Sequence, residues 1–188
     1  MIIRLLSETD VAAFKAIRVE ATQNAPTSVY QTPDEESARL PGQLQPELTD
    51  PSTRVFGAFD GDQLLGIAGI SRDGETKRSH TARIRLLYVR PAHRGQGLAR
   101  QLLTQVLGYA ASVPQIRQIK LTVGAPNIRA QKLYLAFGFK TYATDPKVLC
   151  VDGQFIDENL MVLSMPSSTP TTSDQKPPNL LSDLDTDR

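Results

Sequence analysis

Six residues, Arg94-Gly95-Gln96-Gly97-Leu98-Ala99, link an apolar run, Ile84 to Val89, to a helically spaced apolar stretch, Leu98 to Ala111. Two glycines at a strand-to-helix junction let the backbone approach a ligand closely, with no Cβ in the way. The helix behind them opens with N–H groups that lack intrahelical partners and with the positive end of a dipole. That combination suits a phosphate. Glycines at such a turn also serve as turn residues alone, so the loop leaves both readings open. A second group lies downstream of the apolar strand Ile119 to Val123. It runs Asn127-Ile128-Arg129-Ala130-Gln131-Lys132-Leu133-Tyr134, then Phe137-Gly138-Phe139. It offers a carboxamide at a helix start and a phenol further along the same helix.

Together with Leu87-Tyr88-Val89-Arg90-Pro91, these segments closely resemble the GNAT superfamily of acetyl-CoA-dependent N-acetyltransferases. The family's pyrophosphate loop reads Arg or Gln, two residues, Gly, one residue, then Gly or Ala; Arg94, Gly97 and Ala99 fit it. Its second signature is matched in order by Asn127, Ala130, Tyr134, Gly138 and Phe139. The motifs span roughly residues 82–140, and the element order extends the likeness to about residues 1–165. The resemblance implies an α/β fold: a mixed, mostly antiparallel sheet with helices on both faces. It also implies acetyl-CoA as co-substrate and a primary amine as acceptor.

Within that resemblance, the N–H groups of Gly95, Gln96, Gly97, Leu98 and Ala99 receive the pyrophosphate, supported by Arg94. The backbone of Leu87, Tyr88 and Val89 pairs with the pantetheine arm, because this strand splays from the Ile119 to Val123 strand. The arm completes a sheet edge, so side-chain identity matters little there. Tyr134 is the family's donor of a proton to the leaving thiolate. Its alternative is packing, since Ala130, Leu133, Tyr134 and Phe137 fall at helical spacing. Asn127 is the N-cap of its helix, a cofactor contact, or both. The general base departs from the pattern: Arg83 stands where many family members carry Glu, and a guanidinium cannot accept a proton at neutral pH. Glu158, Asp157 and His80 are the candidates in its place; His93 reads as a surface residue. Arg83 also supports a rival reading, a catalytically silent CoA-binding or interaction module.

The elements that must position these groups follow from punctuation and periodicity. Ile2 to Leu6 reads as a strand, with Ser7, Thr9 or Asp10 capping a helix from about Val11 to Ala21. Prolines at 26, 33, 41, 46 and 51 restrict the next stretch to short helices over Asp34 to Leu40 and Gln43 to Leu48. By resemblance this segment borders the acceptor site; otherwise it is a surface connection. Val55 to Phe59 and Gln63 to Ile70 flank Asp60-Gly61-Asp62 as a hairpin. Ala82 to Val89 is a strand, and Pro114 ends the helix from Leu98. Gly138 suits the position just past the Asn127 to Phe137 helix. Phe139 to Ala143, a turn at Asp152-Gly153 and Phe155 to Ser164 finish the sheet.

With 188 residues and 40% apolar composition, one domain over residues 1–165 is expected. Residues 166–188 are rich in Ser, Thr, Pro and Asp, and are expected to be a disordered tail. A single cysteine, Cys150, allows no internal disulfide, and two histidines make a metal cluster unexpected. No run approaches the length of a membrane span and the start lacks a signal-peptide pattern, so a cytoplasmic protein is expected. The net charge of +1 is too mild for a nucleic-acid partner. Bases do crowd between Lys77 and Arg100, either as a solvated strand face or as a rim for a polyanion. Oligomeric state is left open, a homodimer included.

Overall fold

A computed structural model describes residues 1–166; the expected tail beyond Pro166 lies outside the described residues. Its framework is one sheet of seven strands: β1 (Ile2–Leu5), β2 (Thr53–Asp60), β3 (Gln63–Arg72), β4 (Thr81–Val89), β5 (Gln118–Gly124), β6 (Lys140–Val151) and β7 (Gln154–Ser164). Their spatial order is β1-β2-β3-β4-β5-β7-β6. Every neighbouring pair is antiparallel except β4 and β5. The turn between β2 and β3 falls where Asp60-Gly61 places it, with Gly61 at φ +54°.

Among the described residues there are five α-helices, placed on opposite sides of the sheet: α1 (Val11–Asn24), α2 (Pro33–Ala38), α3 (Pro41–Thr49), α4 (Leu98–Ser112) and α5 (Ile128–Ala136). Leu98, Leu102, Leu103, Val106 and Ala110 of α4 pack with Ala58, Ala68, Ile84, Ile119 and Leu121 of the sheet. Tyr134 of α5 joins that same cluster, together with Phe139. On the other face Phe14, Ile17 and Ala21 of α1 and Leu44 of α3 pack on Val55, Phe59, Ile67 and Tyr88. This is the α/β arrangement expected, with helices on both faces.

Most elements fall within two residues of their expected bounds, but two run further. α1 runs three residues beyond Ala21, because nothing breaks the helix before Pro26. β6 runs to Val151 rather than stopping near Ala143, with register breaks between Thr141 and Ala143 and between Asp145 and Leu149. It is an edge strand whose residues are almost all exposed, so no hydrophobic alternation marks it.

The segment over α2 and α3 is fixed by a buried ion cluster rather than by apolar contacts alone. Arg18 of α1 donates through Nε and Nη2 to both carboxylate oxygens of Glu36 in α2, the latter at 3.0 Å. Its Nη1 reaches Glu47 of α3 at 2.9 Å. Glu36 is 1% exposed. Burial alone would favour its neutral form, but the hydrogen bond and charge of Arg18, with Arg39, outweigh that and hold the carboxyl below its ordinary range. Removing one member strands the other, which costs about 3 kcal/mol. Glu36→Gln is therefore expected to lower the thermal midpoint markedly at pH 7. Because the folded value is depressed, the penalty is full above the ordinary Glu range and fades as pH falls through the folded value. Thermal unfolding of the variant and the parent from pH 7 to pH 3 checks this; a pH-independent difference contradicts it.

Candidate active site

β4 and β5 pair over only three rungs, Thr81 with Gln118, Ala82 with Ile119 and Arg83 with Lys120. Beyond Arg83 the strands part. The parting coincides with a bulge in β4: Ile67 faces Tyr88 and Gly69 faces Arg85, so β4 carries one residue more than β3 between these rungs. Leu86 sits at φ +62°, a region costly for a residue with a Cβ. Leu87 within the bulge has no β5 partner, and Tyr88 and Val89 beyond it pair with Ile67 and Gly66 of β3 on one side and with no β5 residue on the other. Their unpaired edge can accept an extended ligand as an added strand.

The glycine loop lies directly beyond this opening. Gly95 and Gly97 stand at φ +82° and +81°, and Gly97 is the N-cap of α4. The carbonyl of Gly97 accepts the first helical bond from Gln101 at 3.0 Å, so the N–H groups of Leu98, Ala99 and Arg100 have no helical acceptor. A Cβ on Gly97 would find nothing nearer than Gln101 Nε2 at 3.9 Å. The backbone conformation, not crowding within the protein, demands this glycine. Arg94 turns back on its own strand: its Nε donates to the Val89 carbonyl at 2.9 Å, with its guanidinium 5.6 Å from the centre of the Tyr88 ring. It braces the loop. Arg129 of α5, which the motif reading passed over, brings a guanidinium within 3.9 Å of where a Gly95 Cβ would be. It is a cation beside the loop whose position only the fold reveals.

Tyr134 is 6% exposed and meets Phe139 edge-on at 5.7 Å. Burial pushes its phenol well above the ordinary range, so it keeps its proton throughout neutral pH. Asn127 caps α5, accepting from the N–H of Ala130 at 3.1 Å, and its amide donates to Ser28 at 3.1 Å. The N-cap reading therefore holds, with a tether to the α1–α2 loop that the sequence did not suggest. Tyr88 points to the opposite face from Tyr134 and donates to Glu20 of α1 at 3.0 Å. Burial, then Glu20, push it up to about 12.

The alternative bases separate clearly. His80 is exposed at the far end of β4, where β4 and β5 are still paired. Arg83 is at that end too, bonded to Asp73 at 3.3 Å. Asp157 accepts from the Lys147 N–H at 2.9 Å on an exposed hairpin. Glu158 alone stands at the parting, paired across the ladder with Gly124, the last residue of β5, and 5% exposed. Tyr30 of the α1–α2 loop donates to its Oε2 at 3.0 Å. That loop comes so near that a Cβ on Gly124 would lie 2.7 Å from the Thr27 carbonyl.

Known proteins share both the sequence pattern and the architecture. The profile of the Acetyltransferase (GNAT) family matches residues 15–139, and the chain belongs to that family. N-alpha-acetyltransferase RimI of Mycobacterium tuberculosis is 34% identical over 100 residues, 53% of this chain and 60% of that protein. The chain thus spans less than two thirds of the length of this curated relative. Among solved structures, ribosomal-protein-alanine N-acetyltransferase from Brucella melitensis superposes with a TM-score of 0.76 at 21% identity, covering 88% of this chain and all of that one. YncA from Salmonella typhimurium, solved with acetyl-CoA, gives 0.73 at 22% identity, covering 92% and 98%.

Placing a β-branched residue at φ +81° costs about 1–3 kcal/mol of backbone strain, or else moves the loop. Gly97→Val is expected to weaken acetyl-CoA binding about tenfold or more while the fold is kept. Isothermal calorimetry measures it; unchanged affinity would remove the loop from the site.

Proposed function

We propose that this chain transfers the acetyl group of acetyl-CoA to a primary amine, by direct attack while both substrates are bound. The observation that carries this reading is the parting of β4 and β5 beside a left-handed glycine loop. One strand edge and one helix start then serve the same extended, phosphate-bearing molecule. Leu87 to Val89 would hold its arm, and the N–H groups from Gly95 to Ala99, with Arg129 beside them, its phosphates.

The gap also joins the two faces of the sheet. Tyr134 lies on the α4–α5 face, among the residues packed with Val123. Glu158 lies on the other face, opposite Gly124. In the transfer, a bond forms between the amine nitrogen and the acetyl carbon, and the carbon–sulfur bond breaks. The amine nitrogen loses a proton on the Glu158 side, and the departing sulfur gains one from Tyr134. A phenol with a raised pKa remains loaded with its proton, and the thiolate it meets is formed at the moment of transfer. Arg83, being ion-paired at the closed end of the strands, takes no part.

The rival reading, a silent CoA-binding module, rests on Arg83 at the family's usual base position. Steady-state release of CoA thiol across a panel of amines separates the two readings. Tyr134→Phe keeps the ring and its contact with Phe139. It is expected to reduce kcat about 10²- to 10⁴-fold with acetyl-CoA affinity largely kept. Parent-like turnover would make Tyr134 a packing residue only.

A further inference from the structure

On the α1 side of the sheet, the helices cover only part of the surface. Their cluster is built on residues of β2, β3 and β4, including Val55, Phe59, Ile67 and Tyr88. The same face continues over β5, β7 and β6 without a described helix upon it. Which side chains stand there follows from alternation. Ile119, Leu121 and Val123 belong to the α4–α5 cluster, so Lys120 and Thr122 point the other way. Residues directly paired across a ladder share a face. Lys120 is paired with Val162, and Val162 with Lys140. Gly124 is paired with Glu158, and Glu158 with Asp145. Ile84 is in the α4–α5 cluster, so Arg83 and Arg85 of β4 also point to the open face.

The open face is therefore dipolar. At the parting it carries the carboxylates of Glu158 and Asp145. Four residues back along β5, roughly 13 Å at the rise of a strand, it carries Lys120 and Lys140. Arg85 lies between, two residues beyond the Arg83–Lys120 rung. Among the described residues no carboxylate pairs with Arg85, whose Nε donates to Ser71 at 3.0 Å, nor with Lys120, whose ammonium is 5.5 Å from the centre of the Tyr142 ring. Arg83, by contrast, has Asp73. Tyr30 lies at the acidic end and next to it: its hydroxyl is 3.0 Å from Glu158 and 3.4 Å from Thr122. The Arg85 charge acts on that phenol, opposing the rise in pKa that burial produces. Tyr30 engages only Oε2 of Glu158, and no described residue donates to Oε1.

We infer that this face binds the acceptor, and that the acceptor is an anionic amine: its ammonium on Glu158, and a carboxylate or phosphate about 7–13 Å away on Arg85 and Lys120. This rests on the transferase reading. An acidic patch alone would select polyamines; the cations level with Thr122 and Lys120 repel these and attract the opposite charge. Glu158 holds the amine at the parting, where it loses its proton as the acetyl carbon is attacked, and Tyr30 positions that carboxylate.

Steady-state kinetics with acetyl-CoA and matched probes test the assignment. The peptides Ser-Glu-Ala-Ala, Ser-Gln-Ala-Ala and Ser-Lys-Ala-Ala form one arm; Ser-phosphoserine-Ala-Ala and Ser-Ser-Ala-Ala form the other. At least one arm is expected to show kcat/KM tenfold or more higher for the anionic probe, expressed mainly in KM, and the favoured arm tells carboxylate from phosphate. In the Arg85→Glu, Lys120→Glu double variant the order is expected to invert while acetyl-CoA affinity stays unchanged. Glu158→Gln is expected to lose about 10²-fold or more for every amine at neutral pH. Equal or better use of neutral or cationic probes, or a preference that survives charge reversal, overturns the anionic acceptor but leaves the transferase. Parent-like activity of Glu158→Gln overturns the amine's place on Glu158. No thiol release with any probe overturns both.

Discussion

Two parallel strands that share three rungs and then separate create the opening on which the proposed site depends. A parallel pair normally continues as long as its strands do, because unpaired backbone groups are costly to bury. Here the extra residue in β4 and the positive φ of Leu86 turn the strand away after Arg85. Backbone strain of this kind persists only where surrounding packing holds it. Leu86 and Tyr88 pack with the α1 cluster on one side, Leu87 and Val89 with the α4 cluster on the other. The bulge is clamped between two cores, and Leu87 to Val89 keep an edge free beside α4.

The second wall comes from the far side of the gap. The loop between α1 and α2 meets the end of β5 at three places: Thr27 against Gly124, Ser28 against Asn127, and Tyr30 against Thr122 and Glu158. None of these is a large apolar contact. The loop's position is set further back, where Arg18 ties α1 to α2 and α3 through Glu36 and Glu47. A buried ion cluster is a poor source of net stability but a demanding one in geometry. It suits an element whose task is to hold one short loop at a fixed height above the sheet.

Much of this was legible in the residues. Glycines at 61, 95 and 97 announce a left-handed backbone that few other residues adopt, Asn127 announces a side-chain cap, and each falls where expected. The helices Leu98–Ser112 and Ile128–Ala136 were marked by regular apolar spacing. Less was legible where the determinant is a long-range pairing. Tyr30 lies in an irregular proline-rich stretch and meets Glu158 from 128 residues away. β6 is an exposed edge without alternation, so nothing local fixes its length. Choosing Glu158 over Asp157 and His80 needed the ladder register, since only the register says which carboxylate stands beside the parting. The bond from Arg94 Nε to the Val89 carbonyl, which braces the glycine loop on the end of β4, likewise shows only in the fold.

Amide hydrogen exchange with and without acetyl-CoA tests the central claim, that the unpaired edge of β4 and the start of α4 form one binding surface. Slowed exchange on ligand addition is expected over residues 87–99, with β1 and the β6–β7 hairpin tip unchanged. Exchange over residues 87–99 that is the same in both states, with protection arising elsewhere, would contradict that claim.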